Sequence, residues 1–160
     1  MNTINFSLQE RELVFDFFSF FARFEYALKN AGFLAGDMSE AKADWDKFEN
    51  SIFGRFANIS SADFQQAITY LETQPPQKQC VLNGQLDWKE SKRGQGESIE
   101  KFITRLIRCT RNNLFHGGKS SNGPVAETAR DQELLRWSLV ILRECLTLNS
   151  QLESKFNKVD

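Results

Sequence analysis

"SLQERELVFDFFSFFARFEYALKNAG", residues 7–32, decides how the whole chain is to be read. Ser7 followed three places later by Glu10 is the pattern of a capping box, in which each side chain bonds the other residue's backbone N–H. The helix it opens is expected to run over about residues 8–30, with Gly32 supplying the stop. Glu12, Asp16, Ser19, Arg23, Tyr26 and Asn30 follow in steps of three and four and share one stripe. Leu13, Phe17, Phe20, Phe21, Phe24 and Leu28 fall on the other side, which is therefore the core face; the polar stripe reads as a solvated surface.

The same helical period continues outward along the chain. A second helix is expected to start after Ser39 and run through "EAKADWDKFENSIFGRF", burying Trp45, Phe48, Ile52 and Phe56. A shorter one follows Ser60 or Ser61, "ADFQQAITYLET", and Pro75–Pro76 ends it. Over residues 77–96 the pattern fades: "CVLNGQLDW" fits either a short hairpin or a surface turn, and "KESKRGQG" reads as loop. Helical spacing returns after Ser98 and lasts until Gly117–Gly118, where "GGKSSNGP" is a loop. A long final helix over about residues 126–156 carries Leu134, Leu135, Trp137, Ile141, Leu142, Cys145, Leu148 and Leu152. With no internal repeat and no convincing run of strands, residues 1–160 are expected to form one domain, an all-α bundle of four or five helices.

Composition narrows the function. Twenty Lys and Arg against 21 Asp and Glu give a net charge of -1, so the chain is not a general coater of nucleic acid; a polyanion would have to meet a local cluster. Fifteen phenylalanines imply a bulky aromatic core and leave material for a partner surface exposed in a lone monomer. Cys80, Cys109 and Cys145 are scattered and odd in number, which suits reduced thiols better than a disulfide framework or zinc. The first residues lack a basic start and a small-residue cleavage site, and Asp16 and Arg23 interrupt the apolar run. A cytoplasmic protein with no membrane span is the expectation.

The chemistry-bearing stretch is "RNNLFHGGK", residues 111–119, which holds the only histidine. On the helix that leads to it, Phe102, Ile103, Leu106, Ile107, Cys109 and Leu114 occupy one core-facing arc at the helical period. Arg105, Arg108 and Arg111 lie on the other side, with Asn112 between them and Lys101. No acidic residue occurs from Lys101 to Lys119, so this is a cationic ridge. A solvated face with cations near a helix C-terminus would look the same, and Arg111 could pair with an acid on the first helix. What tilts the reading is the combination: a bidentate guanidinium for phosphate, an imidazole that titrates near neutrality, an amide beside the arginine and two glycines.

"RNNLFH" resembles the arginine–polar–several residues–histidine signature of the HEPN superfamily, with Arg111, Asn112 and His116 in those roles and four residues between arginine and histidine. The specific match lies within residues 111–119, near the end of a late helix in a small helical chain, where the family carries its motif. The resemblance implies a helical bundle that pairs as a symmetric homodimer and joins two arginine–histidine sets in one cleft. Catalytic members are metal-independent endoribonucleases, often toxins or phage-defence effectors; others are non-catalytic nucleotide- or partner-binding modules. In some toxin pairs an antitoxin modifies a tyrosine two places after the histidine, and here position 118 is Gly, so that control is not supported.

On this reading no metal or other cofactor is needed. Arg111 neutralises the phosphate as charge builds, His116 is general base or acid, and Asn112 fixes their geometry. Lys101, Arg105, Arg108 and Lys119 steer the RNA backbone, and attack by a ribose 2′-hydroxyl restricts cleavage to RNA. Since one chain offers a single histidine for two proton transfers, a twofold dimer is expected to supply the second; alternatively His116 aligns the substrate and another group moves protons. RNA, a second copy and a cognate antitoxin or other partner protein are the expected partners. The rivals are a non-catalytic HEPN-like binding module and a purely structural interaction domain. A metallohydrolase fits least, with one histidine and no spaced carboxylates.

Overall fold

The computed structural model describes residues 7–38, 40–115 and 129–158. Helix α1, Leu8–Asn30, begins at the anticipated cap: Glu10 N–H donates to Ser7 Oγ at 3.2 Å, and Ser7 N–H donates to Glu10 Oε2 at 2.6 Å. Phe17, Phe21, Phe24 and Leu28 are buried, with Leu13 and Phe20 packed partly buried against them. One end of the helix is fixed locally by the cap and its length by the apolar stripe.

Two short antiparallel hairpins modify the expected all-α bundle. In the first, β1 (Leu34–Ala35) pairs with β2 (Lys42–Ala43), so the second helix does not start after Ser39. Ser39 lies outside the described residues. Asp44 caps α2, Trp45–Ser51, accepting from Lys47 N–H at 2.9 Å. Helix α2 ends early because Gly54, at φ +73°, takes a left-handed conformation that breaks the helix before a single 3-10 turn over Phe56–Asn58. Trp45, Phe48, Ile52 and Phe56 are buried as anticipated, although they sit on two short elements.

Helix α3, Ala62–Thr73, is capped by Ser61 and followed by the prolines. The hairpin alternative then holds for the next stretch: β3 (Lys78–Leu82) and β4 (Gln85–Lys89) pair in register, Gln79 opposite Trp88 and Val81 opposite Leu86. Asn83 and Gly84 both take positive φ, the left-handed pair that lets a two-residue turn match the strand twist.

Helix α4 spans Ile99–Phe115, and Ser98 Oγ accepts from Lys101 N–H at 3.2 Å. Its expected stop at Gly117–Gly118 and the loop beyond lie outside the described residues, as do residues 126–128. The long final helix is two helices, α5 (Ala129–Thr147) and α6 (Ser150–Asn157). Asn149 separates them with an extended backbone, and its side chain caps α6 by accepting from Leu152 N–H at 3.0 Å. That side-chain bond offers the backbone an alternative to continued helix.

Six helices and the two small sheets thus make a helix-dominated fold among the described residues. Helix α1 packs on α5 and α6, α3 on α4 and α5, and α2 on α4, around one buried cluster. Trp45 stacks on Phe21 and Phe24, while Phe48 meets Phe24 and Phe33 edge-on, which is where much of the phenylalanine content goes. Among the described residues, no helix is long and apolar enough to cross a membrane.

Candidate functional site

The basic side of α4 lies against acids from elsewhere in the chain. Lys101 Nζ pairs with Asp46 of α2 at 2.6 Å. Arg105 makes a two-pronged contact with Glu97, Nε to Oε1 at 2.9 Å and Nη2 to Oε2 at 2.8 Å, and also donates to the Lys92 carbonyl. Those bonds hold the Glu97 carboxyl below the usual carboxylate range. Arg108 Nη2 donates to Glu49 Oε1 of α2 at 3.0 Å. Lys101, Arg105 and Arg108 therefore bind the bundle to itself, and the ridge is neutralised along most of its length.

Arg111 differs. Among the described residues its carboxylate contact is Glu25 Oε2 of α1, 3.7 Å from Nη2. That separation is beyond hydrogen-bonding distance. Its Nη1 donates to Asn112 Oδ1 at 2.9 Å, and its Nε is buried with no partner among the described residues. The guanidinium carbon lies 5.5 Å from the Phe21 ring centre and 5.2 Å from that of Phe115. Two aromatic faces therefore fix its plane. Glu25 also accepts from Trp45 Nε1 at 3.0 Å, tying α1 to α2. Arg111 and Asn112 are brought together as the sequence suggested. His116 and Lys119 lie outside the described residues.

Beneath the ridge sits Glu49, only 2% exposed. Its Oε1 accepts from both Thr104 and Arg108, while Oε2 has no partner among the described residues. Burial raises its carboxyl above the ordinary value of 4.5, outweighing the opposing Thr104 bond and Arg108 charge. Unfolded chain keeps the ordinary value. Between the two values the folded protein therefore holds a proton that the unfolded chain has lost, and the stability this group contributes at low pH is lost as pH rises through its folded value. Urea unfolding of wild type and Glu49→Gln should show the wild-type advantage shrinking from pH 4.5 toward neutrality. A difference that stays flat or grows would contradict this assignment.

Sequence reading allowed an acid of the first helix to pair with Arg111, without naming Glu25, and passed over Glu49 and the rings that clasp Arg111. Glu49 left a signal: it follows Trp45 by four and precedes Ile52 by three, a carboxylate inside an apolar stripe. Asn113, next to the proposed polar residue, turns inward and donates to the Gln77 carbonyl at 2.8 Å. Among the described residues no group of three or more His, Cys, Asp or Glu could hold a metal ion. No family model, curated protein or solved structure matches the chain.

Proposed function

We propose that the chain is a HEPN-type endoribonuclease that works as a symmetric homodimer and cleaves RNA without a metal. The observation that carries this reading is the state of Arg111. Its carboxylate contact is 3.7 Å, against 2.6, 2.8 and 3.0 Å for Lys101, Arg105 and Arg108. A guanidinium held in plane by Phe21 and Phe115, yet loosely paired, can take phosphate oxygens with little reorganisation. His116 removes the proton from the ribose 2′-hydroxyl, whose oxygen attacks phosphorus. The bond to the 5′-oxygen breaks, and the second subunit's copy of His116 protonates that leaving group. Asn112 orients Arg111, and Lys119 adds cationic attraction. Lys101, Arg105 and Arg108 retain a weaker long-range pull on RNA, because their charges are already met.

An exposed stripe on α1 supports pairing of two chains. Leu8, Phe15, Phe18 and Ala22 share one side of the helix at its regular period, and all four are exposed. Phe15 is 67% exposed and Phe115 50%. The stripe runs into the site, since the Phe18 ring lies 5.3 Å from that of Phe115, which covers Arg111. A second copy of the same stripe is the occupant that would also bring a second histidine.

Glu25 favours one other reading, a non-catalytic HEPN-like module, because its carboxylate attracts Arg111 toward α1. Incubation with single-stranded RNA in excess EDTA separates the two. The enzyme leaves a 2′,3′-cyclic phosphate or its opened form and spares DNA of the same sequence. Intact RNA, equal cutting of DNA, or cleavage restored only by a divalent ion would reject the proposal.

A further inference from the structure

Toward the opposite end of α4 from Arg111 lies a cavity of about 540 Å³. Its wall is the segment linking α3 to β3, the loop after β4, Phe102 of α4 and the start of α5. That volume falls within the range of small-molecule sites.

The wall has an unusual polarity. The carbonyls of two lining residues are met by side-chain donors, Arg130 Nη2 to Pro75 at 2.7 Å and Asn113 Nδ2 to Gln77 at 2.8 Å, and Ser91 Oγ donates to the carbonyl of Pro76 between them at 2.7 Å.

The cations of this wall are held differently from those of the α4 ridge. Arg130 is anchored by the Pro75 carbonyl and Arg93 by that of Glu97, through Nε at 2.7 Å. Among the described residues neither has a carboxylate within ion-pair distance. Lys92 pairs with Glu90 at 3.2 Å, which leaves Glu72 as the remaining acid against two guanidinium groups. A neutral carbonyl orients a guanidinium without cancelling its charge.

We infer that this cavity binds a phosphorylated small molecule, with Arg93 and Arg130 gripping its phosphate. The forked geometry of guanidinium matches phosphate oxygens, and the volume leaves room for more than a bare anion. This site is separate from RNA cleavage and does not depend on His116.

Isothermal titration of the full-length His116→Ala chain at low salt tests it, with AMP, inorganic pyrophosphate, adenosine and citrate as probes. AMP or pyrophosphate should bind, and more weakly as salt rises, while adenosine should not and citrate should bind more weakly than either phosphate probe. Arg93→Gln and Arg130→Gln should each lower that affinity about tenfold, the usual scale for losing one charge-assisted contact. Arg136→Gln, which removes a surface pair with Glu133 on α5, should leave it unchanged. Melting curves check that each variant is folded, and the two arginines lie on separate elements, so loss of one variant leaves the other as a test. Binding of neither phosphate probe, equal binding of adenosine or citrate, or undiminished binding in the folded arginine variants overturns the assignment.

Discussion

Replacing His116 with alanine lowers the rate of RNA cleavage by about 10²–10⁴-fold, the range set by removing a general acid or base. An unchanged far-UV circular dichroism spectrum identifies the loss as chemical. Arg111→Lys keeps the charge but loses the planar fork, and its rate should fall by about 10²-fold. Glu25→Gln separates a catalytic Arg111 from a merely stabilising one. It removes the carboxylate 3.7 Å away, so a guanidinium that works on phosphate keeps or gains activity. A rate in His116→Ala equal to wild type would falsify the catalytic assignment.

Phe15→Asp should turn a two-chain particle into a single chain by light scattering and abolish cleavage. Phe15 is 67% exposed and lies outside the Phe18–Phe115–Arg111 stack, so the substitution reaches the dimer without touching that stack. A twofold interface carries each substitution twice. Two carboxylates then enter an apolar contact, and burying each unpaired charge costs several kcal/mol. The α1 face that reaches α5 and α6 is untouched, so the melting temperature of the monomer should stay close to that of wild type. A dimer that persists places the interface elsewhere. A monomer with the full rate contradicts the composite site outright.

The parts of this fold that could be read in advance are those whose causes are local. The Ser7–Glu10 box and the α1 stripe need only residues a few places apart. Asn83–Gly84 left two outcomes open because a two-residue turn becomes a hairpin only when its flanking strands pair. The late start of α2 depends on β1 meeting β2, and the break before α6 depends on the Asn149 cap winning over continued helix. The cationic character of α4 was visible, but its neutralisation was not. Lys101 meets Asp46 across 55 residues, and Arg108 meets Glu49 across 59. No window on α4 itself contains those acids. What distinguishes Arg111 from its neighbours is likewise a long-range distance, the one to Glu25.

The order of the four pairings along the chain has a consequence for biosynthesis. Glu25, Asp46, Glu49 and Glu97 all emerge from the ribosome before Lys101, Arg105, Arg108 and Arg111. The carboxylates are therefore already in the chain when α4 is made, and its cations can exchange solvent for them as soon as the helix packs.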